Sequence, residues 1–203
     1  MRRFLLSLAV LSAGVARAAS GQQHVQLVAS LEPPGIGDSV SFHLTNLFSD
    51  PDWSGVLRGG LPIILHWTTQ LWRRRSLQDE QGPSTEWTDT IRYVAITDRY
   101  ALTTATGSIR RFDMRFGSLD SLRQWVEQWF GLQLTPSGPG QWYYVIDLDI
   151  STLNAAEINR MQRGGQGSPL GGLLDRLLIN QGMPSRPLHA QTDAFTVPTR
   201  PPG

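Results

Sequence analysis

The 203-residue chain contains no cysteine, no lysine and only four histidines. Without cysteine it has no thiol nucleophile and no disulfide, so packing alone would have to hold an exported form together. Without lysine it has no amine for a Schiff base. All 18 basic residues are arginine, a bias that GC-rich coding accounts for without any appeal to function. The apolar run Phe4–Ala16 is too short to span a bilayer, which takes ~20 residues.

That run follows Met1-Arg2-Arg3 and leads into Ala16-Arg17-Ala18, with small residues on either side of a cleavage point before Ala19. This is the layout of a secretory signal peptide. Residues 1–18 are therefore expected to be removed, giving a periplasmic or extracellular product with no transmembrane segment. The full chain carries +1; loss of Arg2, Arg3 and Arg17 leaves 15 arginines against 17 acidic residues, a net −2. A slightly acidic chain has no electrostatic case for nucleic acid, whose binding depends on neutralising phosphates.

Turn signals and alternating patterns predict the elements. Val25, Leu27 and Ala29 share one strand face, and Val40, Phe42 and Leu44 another. Residues 47–60, ending in Gly59-Gly60, read as a short helix with a glycine stop. Leu61–Arg73 is the longest strand signal: Ile63, Leu65, Trp67 and Leu71 lie on one face, His66, Thr68, Gln70 and Trp72 on the other. Gln78–Thr85, with Gly82-Pro83, reads as a loop. Thr88–Ala95 and Tyr100–Thr104 form a hairpin, and Arg110–Phe116 alternates again. Leu119, Leu122, Trp125, Val126, Trp129 and Phe130 recur at helical spacing, with Ser118 as cap and Gly131 as stop. Trp142–Ile150 is a last strong strand. Together these predict a mainly β protein: an antiparallel, Ig-like β-sandwich of six to seven strands with one inserted amphipathic helix, over residues 19–153. Residues 154–180 read as a short helical extension. Residues 181–203, with five prolines, read as a flexible, disordered tail that docks at most one strand near Ala194–Val197.

The quoted order has a family likeness. Gly60-Leu61-Pro62 opens a strand with a Trp-Arg end. Then come TIRYVAITDRYALTT (90–104), FGSLDSLRQWV (116–126) and GQWYYVIDLDISTLN (140–154). Over about residues 25–153 this resembles the bacterial exported family catalogued as domain of unknown function 4390. The resemblance implies export, a single β-rich domain and an envelope role; it carries over no catalytic or binding residue. The glycine- and proline-rich extension from Gly164 departs from the family pattern.

Catalytic candidates are sparse. Asp147 and Asp149, at i and i+2, share a strand face; with His66 they would make an acid–base set for hydrolysis of an envelope glycan or ester. The plainer account is solvent-facing charge beside arginines of a neighbouring strand. No histidine has a partner at metal-ligand spacing, and no Asp/Asn/Gly loop completes a calcium site, so neither a metal nor another cofactor is expected. Gly-x-Ser-x-Gly and P-loop motifs are missing. Of the tryptophans, Trp53, Trp72 and Trp87 stand outside the core pattern. Arg73, Arg74, Arg75, Arg111 and Arg115, with Trp72, are the candidate partner-binding residues. They favour a non-enzymatic module that binds another envelope protein or polymer through a sheet face or edge. The plainer account pairs the sheet arginines with Asp89, Asp113 or Asp147. Which holds turns on whether the arginines converge in a concave patch or are each neutralised.

Overall fold

The computed structural model describes residues 24–32, 39–107, 110–152 and 185–199. The expected signal peptide and the helices expected within 154–180 lie outside these. Two antiparallel sheets face one another. The smaller holds β1 (Gln26–Leu31), β2 (Ser39–Thr45) and β7 (Phe130–Gln133) in the order β1-β2-β7. The seven-stranded sheet runs β10-β8-β3-β4-β5-β6, with β9 also on β8. Its strands are β3 (Ile63–Arg73), β4 (Glu80–Val94), β5 (Arg99–Thr106), β6 (Arg110–Phe116), β8 (Gly140–Ser151), β9 (Arg186–Gln191) and β10 (Phe195–Val197). The mainly β, sandwich-like expectation is met, with ten strands among the described residues where six or seven were anticipated.

Alternation decides which face is buried. In β3, Ile63, Leu65, Trp67 and Leu71 are fully buried, as are Val40, Phe42 and Leu44 of β2. Each such side chain contributes about 1.5–3 kcal/mol through removal from water. Phe42 bridges the sheets, its ring 5.4 Å from Trp67, 6.0 Å from Trp87 and 6.1 Å from Phe130. Trp87 stacks on Trp67 at 5.6 Å and 11°. Trp53, expected to be free, is buried on α1 (Pro51–Arg58). That helix starts where the Asp50 side chain accepts the Asp52 N–H at 3.1 Å and ends at Gly59.

Three expectations fail for identifiable reasons. The loop expected at 78–85 ends at Asp79, and residues 80–85 belong to the first half of β4, paired with β3 across a bulge between Gln70 and Trp72. Gly82-Pro83 misled because β5 pairs only with Thr88–Val94, leaving this half of β4 a one-sided edge where proline is tolerated. The amphipathic helix α2 (Leu119–Val126) is shorter than its pattern, with Glu127 as its cap; Phe130 and Gly131 belong to β7, and Trp129 is 52% exposed. Finally, the tail adds two strands to the large sheet where at most one was expected: β10 falls near Ala194–Val197 as anticipated, β9 was not anticipated, and both pair with β8.

Candidate functional site

The consecutive arginines end β3, and each is engaged by the protein itself. Arg73 falls on the core face, its guanidinium 5.7 Å from the centre of the buried Trp142 ring, and donates to the Pro139 carbonyl. Gly140, at φ 139, leaves the room; a Cβ there would lie 2.9 Å from Arg73 Nε. Arg74 takes the outer face, 5.7 Å from the Tyr143 ring centre. Arg75 donates to Glu80 through Nε at 3.1 Å and Nη2 at 2.6 Å. The Arg75 backbone N–H and the Tyr143 hydroxyl both donate to Asp79, which holds that carboxyl below the usual range; Arg75 does the same for Glu80. Trp72 is half-buried and donates its indole N–H to Gln70 at 2.9 Å. These contacts brace a strand end, and each of the candidate partner-binding residues Trp72, Arg73, Arg74 and Arg75 has a contact within the molecule.

The dispersed arginines behave differently. Arg92 of β4 and Arg115 of β6 stand directly opposite Ala101 of β5, one on each side, and so share the outer face of the large sheet. The small Ala101 leaves a hollow between them. Arg99, two residues before it, falls on the same face. The three line a groove of about 240 Å³ together with Thr97, Thr103 and Asp113. Among the described residues none of the three guanidinium groups is in an ion pair or a side-chain hydrogen bond, and Asp113 is the groove's one carboxylate. Arg111 occupies the register position opposite Ala105. Arg92 and Arg115 thus converge instead of being neutralised strand by strand. Arg99 was missed because it sits in the hairpin turn of the pattern.

The expected cross-strand role of Asp89 fails. It lies opposite Leu65 on the core face and is buried, accepting from Trp67 Nε1 at 3.1 Å and from the Thr104 hydroxyl. Burial pushes its carboxyl above the usual range, against hydrogen bonds from Thr104, Trp67 and Trp87.

The hydrolytic set is brought together only in part. His66 and Asp149 are direct cross-strand partners on the outer face, but His66 Nδ1 lies 3.1 Å from the Thr88 hydroxyl and Asp149 accepts from Ser185 at 3.3 Å. Asp147 is taken by His189 at 2.8 Å, a partner from the tail that no spacing could have revealed. These side chains line neither the groove nor the larger cleft described below. His43 does not approach His66: it is on β2, in the other sheet, with its ring 3.8 Å from that of Trp129, and burial lowers its pKa. Among the described residues, no group of three or more His, Asp or Glu is placed to hold a metal ion.

The larger cleft, about 510 Å³, opens where α1, the β4–β5 hairpin and α2 meet. Phe48 and Leu57 are buried within it, and the Tyr93 and Tyr100 rings, 5.3 Å apart, form a wall.

The molecule is thus a mainly β protein of two antiparallel sheets, with an arginine-lined groove on one outer face. Comparison with protein-family models, curated proteins and solved structures finds no match to the chain. Among the described residues no helix is long and apolar enough to cross a membrane.

Proposed function

We propose that this is an exported binding module, akin to the family catalogued as domain of unknown function 4390, that holds an acidic, extended segment of an envelope protein without catalysing a reaction. The observation that carries it is the groove: Arg92, Arg99 and Arg115 converge there with one carboxylate among them and, among the described residues, no ion pair. Arginine presents a planar fork of donors suited to carboxylates. The groove also borders β6, the end of the large sheet, which pairs only with β5 among the described residues. An open strand edge offers backbone hydrogen bonds to an extended chain, and the neighbouring side chains give selectivity. Hydrolysis by Asp147 or Asp149 with His66 is less well supported, because those groups lie on an exposed face away from both cavities.

The test is capture from an envelope extract on immobilised protein, with Arg92→Glu/Arg115→Glu as control. A ligand retained by the wild type, lost by the variant and released near 1 M salt, where screening lengths fall to ~3 Å, is the expected result. Identical capture by both proteins would sink the proposal.

A further inference from the structure

The cleft between α1, the β4–β5 hairpin and α2 has a chemistry of its own, independent of the arginine groove. Its volume of about 510 Å³ is in the range of pockets that hold small ligands. The floor is apolar, from Phe48, Leu57 and Leu119, and Tyr93 and Tyr100 form one wall. Two opposite charges also line it. Arg58 is held by its own helix, donating from Nε to the Ser54 carbonyl and from Nη2 to the Ser54 hydroxyl, each at 3.1 Å. Asp98 is held by the Tyr93 hydroxyl at 2.7 Å, in the left-handed backbone region at φ 50. Both are exposed, and among the described residues neither forms an ion pair with the other or with a third group.

Each charge is therefore fixed by a neutral partner and left unmatched. A ligand with a single charge would satisfy one and leave the other. We propose that the cleft binds a small zwitterion with an apolar body, of the amino acid or dipeptide class. Its carboxylate pairs with Arg58, its ammonium with Asp98, and its side chains rest on Phe48, Leu57 and Tyr100. The fixed geometry lowers the ordering cost of binding.

Titration calorimetry of the whole protein with leucyl-phenylalanine, its N-acetyl form and its C-terminal amide tests this. Saturable binding of the free dipeptide is expected, weakened about tenfold or more by either block, a difference near 1.4 kcal/mol. Arg58→Ala should then bind the free and amidated forms alike. Asp98→Asn, which keeps a residue tolerant of positive φ, should bind the free and acetylated forms alike. Absence of saturable binding, equal binding of all three ligands, or variants that still discriminate would each overturn the proposal. Arg92→Glu/Arg115→Glu should leave the dipeptide isotherm unchanged, which separates this site from the groove.

Discussion

Two sets of arginines in this protein have opposite fates. Arg73, Arg74 and Arg75 are consecutive and conspicuous, yet each is engaged within the molecule by an aromatic ring, a carbonyl or a carboxylate. Arg92, Arg99 and Arg115 are scattered over three strand segments, yet the register of β4, β5 and β6 brings them to one groove without an ionic partner. Density along the chain is a poor guide to a charged surface. A strand end places successive side chains on opposite faces, so a run of arginines disperses, whereas cross-strand register gathers residues far apart in sequence.

The sharpest way to break this contrast is to remove arginines one at a time and ask which the fold needs. The largest loss should come from a third setting. Arg186 of β9 reaches α1, its Nη1 2.6 Å from an oxygen of Asp50, and Asp50 is only 1% exposed. Arg186→Ala removes the guanidinium from that buried carboxylate, leaving it the Asp52 N–H and His24 at 3.9 Å, and should cost about 3 kcal/mol in chemical denaturation. A loss under about 0.5 kcal/mol, the level of an ordinary surface change, would mean that the tail strand does not clasp the helix.

Arg73→Ala comes next. It removes the guanidinium from Trp142 and the donor from Pro139, and a loss of about 1–2 kcal/mol is expected. Arg74→Ala removes only an exposed cation–π contact with Tyr143 and should cost about 0.5–1 kcal/mol. Arg92→Ala/Arg115→Ala should stay within about 0.5 kcal/mol of wild type, because among the described residues neither guanidinium has a partner to lose. If the groove pair proved as destabilising as Arg73→Ala, the two sets would not differ and the binding role would lose its main support.

The same comparison shows what the amino-acid pattern made legible. Strands β3 and β8 and the β4–β5 hairpin were readable because apolar alternation and turn residues are local signals. The buried faces of Trp67 and Leu71 followed directly from it. Strand β9 was not readable: Pro187 and Arg186 look like tail residues, and their place depends on hydrogen bonds offered by β8, more than thirty residues earlier. The groove was half legible. Arg92 and Arg115 could be named as sheet arginines, but their convergence around Ala101 is a matter of register. Asp89 shows the reverse failure, because it looked like a surface counter-ion and instead accepts a tryptophan N–H in the core.

The smallest effect sharpens the contrast by pH. Asp79 and Glu80 beside the arginine run both have depressed pKa values, from donors on Arg75 and Tyr143. A depressed folded pKa means that the unfolded chain binds protons first as pH falls. The stabilisation is therefore complete above the ordinary carboxylate values of about 4 and is lost as pH drops below them through the folded values. In Asp79→Asn/Glu80→Gln, melting temperature should fall less steeply with acid over that window than in wild type. Because Glu80 is solvent-exposed and Asp79 only half-buried at the strand end, water and salt screen the effect, and raised salt should narrow the gap between the Asp79→Asn/Glu80→Gln and wild-type curves. A gap that salt leaves untouched would point instead to the hydrogen bond that the uncharged Tyr143 hydroxyl donates to the Asp79 carboxylate, and Tyr143→Phe would then reproduce it alone.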